Sequence, residues 1–387
     1  MMHAIEQARQ IANDVIAPRA AASDRDASWP EVELRALQAA GLGGLVVSRD
    51  HGGLGGGLAA LARVCEVLGT ASASVGVCFG MHCVATAVIA ARATDDQAQR
   101  YLVPIAEGKH LTTIALSEPA SGARFYLPTA RMTHPKGESG TVRIHGEKAF
   151  VTSGGHADSY VVSTATASDD DKPLGRFSCV VVPAGAPGLE WSAPWQGWGL
   201  RGNSSINLKL SNVAVPVADL LGQEGDQMWF MFRVVFPHFL MAMAGTYLGV
   251  AAASLELGRE HLTRRRYADG RVLADNVLLQ HRFGVLWADA ARARSAALDA
   301  AARADAGDAA DADVLAAILS AKADVSESVE RVTGEVMTLM GGTGYREGSM
   351  IQRLYRDARA AHVMTPTTDV LRTWAGRTLL GLPLLGE

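Results

Sequence analysis

The chain has 387 residues, 48% hydrophobic and 20% charged, with a formal net charge of −4. Single cores stop growing at roughly 250–300 residues, so this length implies more than one domain. The balanced composition excludes the basic surface that a nucleic acid or an anionic membrane would need in a partner. Cys65, Cys78, Cys83 and Cys179 form no CxxC pair, which points to buried free thiols in a reducing, cytoplasmic setting and offers no metal-ligand spacing. Charges interrupt every apolar run from Met1 to Arg9, so neither a secretory segment nor a membrane span is expected there.

Up to about Gly108, helical periodicity alternates with Gly-rich breaks: residues 31–40, a break at 41–44, then 58–68 and 80–93. After Lys109 short β-rich runs separated by turn residues take over, at 141–146, 159–164, 177–182 and 206–210. From about Gln227 the helical pattern returns, through 239–261, 277–303 and 312–340, with a break at 305–308 where Gly and Asp favour a turn. A last amphipathic helix at 370–377 ends in the turn 381–383. The order helix, β, helix divides the chain into an N-terminal helical domain (1–110), a middle β domain (111–225) and a C-terminal helical bundle (226–387).

Four stretches carry chemistry. Leu116-Ser117-Glu118-Pro119 follows a β run, and by itself it is equally well a β-turn with a proline. Gly146 to Gly154 contains Phe150 and Thr152, which as an isolated match is a hairpin strand with one inward aromatic. Trp195 to Gly202 leads through 213–217 to Leu221-Gly222-Gln223-Glu224-Gly225. Near the C-terminus, Gly341-Gly342-Thr343-Gly344-Tyr345 and Arg353-Leu354-Tyr355-Arg356-Asp357 close a long helical stretch. The Gly-rich segments 41–44 and 52–57 lack the flanking strand and Lys of a nucleotide loop.

In their order and spacing these blocks resemble the flavin-dependent acyl-CoA dehydrogenase family over nearly the full chain. The resemblance implies an α+β multidomain fold: an N-terminal helical domain, a β-barrel-like middle domain and a C-terminal four-helix bundle. It implies FAD as cofactor, with Leu116 and Ser117 at the pyrimidine edge of the flavin, Phe150 stacked on the isoalloxazine and Thr152 near its N5. Arg264 would reach the pyrophosphate of a neighbouring subunit's cofactor, Thr338, Gly341 and Gly342 would close over the adenine side, and Thr367 would be a further cofactor contact. Three arginines at a helix C-terminus also complement the helix dipole without any ligand. A homodimer or homotetramer, an acyl-CoA or acyl-carrier thioester as substrate and a flavoprotein or other electron acceptor as partner are further implications.

The chain departs from the family at the proton-abstracting base. Where the family carries a Glu followed by Gly, eight residues after Asp357, this chain reads Thr365-Pro366, and the alternative base position on the first helix after the β domain falls at about Phe239. A threonine hydroxyl is no base at neutral pH without a partner. Gly122-Ala123-Arg124 lacks the hydroxyl that faces the pantetheine arm in many members, and Leu240 replaces an arginine near that arm. The catalytic residue is therefore unassigned. Three readings follow: a dehydrogenase of an unusual thioester with a displaced base (His238, His362 or Asp369), a flavin monooxygenase on the same fold, and a non-catalytic flavin-binding homologue. The retained blocks 153–158 and 195–202 favour the first. Phe239, Met241, Met243 and Tyr247 are equally core or acyl-pocket residues by sequence.

Overall fold

A helical layer, a sheet and a second helical layer follow one another along the chain in the computed structural model, which describes residues 1–166, 176–309 and 311–385. The first layer comprises α1 (Met2–Ile11), α2 (Ala17–Asp26), α3 (Glu31–Ala39), α4 (Leu58–Ala71), α5 (Ala73–Ala91) and the short α6 (Asp95–Gln97) and α7 (Val103–Ala106). Helix α5 starts seven residues before the expected 80, because the Ser72 hydroxyl accepts the Val75 N–H and caps it. Gly76 and Gly80 lie inside this helix, where a neighbouring helix comes too close for a side chain, so glycine here marks a contact and not a break.

The strands are β1 (Thr112–Ala115), β2 (Arg131–Thr133), β3 (Thr141–Val151), β4 (Ser159–Thr166), β5 (Arg176–Pro183), β6 (Leu189–Trp191), β7 (Ile206–Pro216) and β8 (Leu220–Leu221). They form one sheet in the order β6-β7-β3-β2-β4-β5-β8, with β1 added parallel to β4. Strand β3 runs past the expected end at 146 because β7 pairs with it antiparallel to Val151, across register shifts at 144–146 and 148–151. Such bulges bend a strand and re-aim its side chains.

The second helical layer holds α8 (Gln227–Phe230), α9 (Phe236–Arg264), α10 (Val277–Ala306), α11 (Ala312–Met340), α12 (Met350–Val363) and α13 (Thr368–Leu379). A π-helical turn at Met231–Val235 joins α8 to α9. Helix α10 continues through Asp305, expected to be in the turn, and the Asp305 carboxylate accepts the Leu58 and Ala59 N–H groups at 2.6 and 2.9 Å, capping α4 from the far side of the fold. Helices α4 and α5 pack against α9, and one apolar core runs through both helical layers. Helix α5 and the 227–264 run are long and apolar enough to cross a membrane, yet 89% of each apolar window is buried inside the fold, as in a core helix.

Candidate active site

A cavity of about 590 Å³ lies where the sheet meets α5, α9 and α12. Leu116, Ser117, Phe150 and Thr152 line its sheet side; Val77, Met81, Phe236, Phe239 and Thr365 line its helical side. A second cavity, of about 550 Å³ beside the α4 N-terminus, contains Trp229, Arg233 and His238 and none of the sequence blocks.

The 116–118 turn is fastened to β3. The Ala149 N–H donates to the Ser117 carbonyl at 2.8 Å. Beneath this bond Lys148 is fully buried and donates to Glu118 Oε1 at 2.7 Å and to the Ser163 hydroxyl at 2.9 Å. Glu118 also accepts the Thr129 and Ala130 N–H groups and the Thr129 hydroxyl. Burial pushes the Glu118 carboxyl up, but the Lys148 ammonium and these donors outweigh it and hold the group below the usual carboxylate range. The pair escaped sequence reading, although Lys148 falls on the same alternation as Val142 and Ile144, the buried face of β3.

Phe150 sits at the second β3 register shift with φ of 56°, in the left-handed region that favours glycine, and its ring is 65% exposed. Sterically disfavoured backbone of this kind concentrates at ligand sites. The Trp195 ring meets Phe150 edge-on at 6.3 Å. Next to them the Thr152 and Ser205 hydroxyls share a hydrogen bond of 3.2 Å. Asn203 Oδ1 and Arg356 Nε are buried without a hydrogen-bond partner, and both residues line the cavity.

The third block and α12 meet through the backbone at Gly199, where a Cβ would lie 2.3 Å from the Arg356 carbonyl oxygen. Arg356 grips both carboxylate oxygens of Asp24 at 3.0 and 2.5 Å and the Trp198 carbonyl at 2.8 Å. Asp357 accepts the Leu200 N–H at 2.7 Å, and burial pushes its carboxyl up to about 6. The Arg-Asp pair of the C-terminal signature thus binds α2, the third block and α12 into one joint behind the cavity.

Thr365 and Phe239, the two positions where the resemblance would place a base, are both in the wall of this cavity. Among the described residues lining it there is no Asp, Glu or His. The displaced candidates lie elsewhere. His238 donates from Nδ1 to the Val234 carbonyl at 2.7 Å and lines the second cavity, and burial pushes its pKa down. His362 Nδ1 is 3.0 Å from the Thr368 hydroxyl, with Nε2 2.8 Å from Glu330 Oε2 but off the hydrogen-bond line. Asp369 is exposed in the first turn of α13. None of the three lines the cavity.

The 364–367 loop that carries Thr365 rests on Lys322 of α11. This buried amine donates to the Ala361 carbonyl at 2.7 Å and the Pro366 carbonyl at 3.2 Å, and burial pushes its pKa down to about 7. Thr367 is the N-cap residue of α13, beside the cavity loop and outside the wall.

The remaining expected cofactor residues are distant. Phe239 and Arg264 are separated by roughly 25 residues of one helix, about 37 Å along its axis. Arg264 is 77% exposed with Glu260 at 3.7 Å, Thr338 donates to its own helix at the Gly334 carbonyl, and Gly341 and Gly342 face open space. Gly258 of α9 packs on Val336 of α11, so these C-terminal helix ends lie together at one end of the bundle.

An aromatic slot, hydroxyls at one edge, the 116–118 backbone turn in the wall and two orphaned buried polar atoms make a site that fits a flavin ring. The fold and this cavity define a flavin-type oxidoreductase. Three domain descriptions match in succession: the acyl-CoA dehydrogenase N-terminal domain over residues 3–109, the middle domain over 113–213 and the C-terminal domain over 232–380. An acyl-CoA dehydrogenase of Bacillus subtilis (strain 168) is 28% identical over 96% of both chains, and a cyclohex-1-ene-1-carbonyl-CoA dehydrogenase of Geobacter metallireducens is 28% identical over 97% of both. The structure of butyryl-CoA dehydrogenase from Megasphaera elsdenii superposes with a TM-score of 0.91 at 24% identity, covering 98% of this chain and 97% of that one. The chain belongs to the acyl-CoA dehydrogenase family, and as such it is an FAD-dependent oxidoreductase acting on CH–CH bonds.

Proposed function

We propose that this protein dehydrogenates the Cα–Cβ bond of an acyl thioester, carried on coenzyme A or on a carrier protein, and passes the electrons to a partner flavoprotein. The observation that carries this reading is the single cavity in which Leu116, Ser117, Phe150 and Thr152 face the two family base positions, Thr365 and Phe239. Bound FAD would supply the hydride acceptor and water would take the α-proton, since among the described residues no Asp, Glu or His lines the cavity. In this reading the Leu116-Ser117 turn and the Thr152 hydroxyl hold the polar edge of the ring, and Phe150 and Trp195 cover its face. Phe236 and Phe239 hold the acyl group between apolar rings, where positioning supplies much of the rate.

Arg264, Thr338, Gly341 and Gly342 serve the cofactor of another subunit, which makes the working form a homodimer or a homotetramer in the cytoplasm. Their position supports this, because about 37 Å of helix separates the cavity from Arg264 within one chain. Anaerobic mixing of the FAD-loaded protein with a panel of acyl-CoA and acyl-carrier thioesters tests the reading. Bleaching of the oxidised flavin absorbance by a thioester is the expected result. If no thioester bleaches it, and reduced protein consumes oxygen rapidly instead, the proposal is wrong.

A further inference from the structure

The walls of the cavity limit what can enter. On α5 the lining residues are Val77 and Met81; on the turn into α9 they are Val235, Phe236 and Phe239. Immediately beyond, α5 and α9 touch. A Cβ on Gly80 would lie 2.9 Å from Ala242 Cβ and 3.2 Å from Met243 Cε, and one on Gly76 would lie 2.8 Å from Thr246 Cγ2. Ala242, Met243 and Thr246 follow Phe239 on one face of α9, so the seam that leaves the cavity is filled for the next two turns. Met243 and Tyr247 are buried core side chains outside the cavity wall.

Sideways, the fully buried Phe236 ring stacks on Trp374 at 5.4 Å and meets Phe232 at 4.9 Å and Phe125 at 5.7 Å. This cluster packs the α13 side of Phe236 with aromatic rings. The whole space of about 590 Å³ must hold both a tricyclic ring and the reacting acyl group, yet it is the size of a pocket for one drug-sized ligand.

We infer that Phe239, backed by Phe236, closes the acyl end of the cavity, so that the site takes a short acyl group, or one made compact by branching or ring closure, and rejects long linear chains. Phe239 is the specificity-determining residue, because it alone of the candidate interior residues Phe239, Met241, Met243 and Tyr247 reaches the cavity. The inference rests on the thioester reading above.

The test measures dissociation constants of butanoyl-, isobutanoyl-, octanoyl- and dodecanoyl-CoA from the perturbed flavin absorbance of the FAD-loaded protein, in wild type and Phe239→Ala. Butanoyl or isobutanoyl thioester should bind wild type at least about tenfold more tightly than dodecanoyl, the scale of discrimination of one poorly accommodated methylene or more. Phe239→Ala should raise the ratio of octanoyl to butanoyl affinity about tenfold over wild type, through tighter octanoyl binding and through weaker butanoyl binding once the wall against the short chain is gone. Equal affinities of wild type for all lengths would overturn the closed end and leave the thioester reading intact. Failure of every thioester to bind or bleach would overturn both.

Discussion

Thr365, where the sequence resemblance places the family base, lies in the wall of a cavity lined, among the described residues, by no carboxylate or imidazole. A positioned general base contributes typically about 10²–10⁴-fold. Thr365→Glu should therefore accelerate bleaching by a short acyl thioester by at least about a hundredfold, with a pH profile that rises through the pKa of the new carboxyl. Stopped-flow absorbance of the anaerobic half-reaction checks this, and an unchanged rate would show that the α-proton leaves by a route that Thr365 does not face. Behind the same loop, Lys322 has a folded pKa of about 7, below its ordinary 10.5 because of burial. Between these values the unfolded chain binds a proton that the folded chain does not. Stability attributable to Lys322 therefore rises from pH 7 to 10.5 and is flat below 7. Denaturant unfolding across this range should show a swing on the order of a few kcal/mol that Lys322→Met lacks. The same variant should also loosen the 364–367 loop, because the Ala361 and Pro366 carbonyls lose their donor.

The elements that build the cavity are held by polar bonds in an apolar setting. Removing one partner from a buried ion pair leaves an uncompensated charge and costs about 3–5 kcal/mol. Lys148→Met should therefore lower unfolding free energy by that amount and weaken flavin retention, since the 116–118 turn loses its anchor to β3. Lys148→Met with Glu118→Leu should recover much of the loss, and a double variant no more stable than the single one would show that Glu118 is satisfied by Thr129 and Ala130 alone. These fasteners also mark where sequence reading stops. Helices 31–39, 58–71 and 312–340 were legible because apolar residues recur with the helical period. Helix α5 was truncated at Gly80 and α10 at Asp305, because the glycine's contact with α9 and the aspartate's capping of α4 are tertiary facts without local signature. Phe150 and Thr152 could be placed by their block, but the β3 bulge that exposes the Phe150 ring depends on pairing with β7, about fifty residues onward.

At the scale of the whole molecule, the site residues named from sequence fall into two groups. Leu116, Ser117, Phe150 and Thr152 share one cavity, whereas Arg264, Thr338, Gly341 and Gly342 gather at an end of the bundle roughly seven helical turns away. No motion of one packed helix closes that distance, so under the proposed function the two groups would serve one FAD across a subunit boundary. Exposed apolar side chains on α10 next to that end, Val277 at 74%, Leu278 at 63% and Trp287 at 61%, provide surface that an oligomer would bury. Arg264 itself pairs only loosely with Glu260 in the monomer and is free to turn outward. Arg264→Ala should thus leave the assembly mass unchanged in sedimentation while raising the FAD dissociation constant by roughly tenfold, the worth of one charge-assisted contact to a phosphate. The loss should shrink as ionic strength rises, because a solvent-accessible ion pair is screened. Unchanged FAD affinity in an intact oligomer would assign the three arginines to helix-dipole complementation and would leave the cofactor held by the cavity residues of one chain.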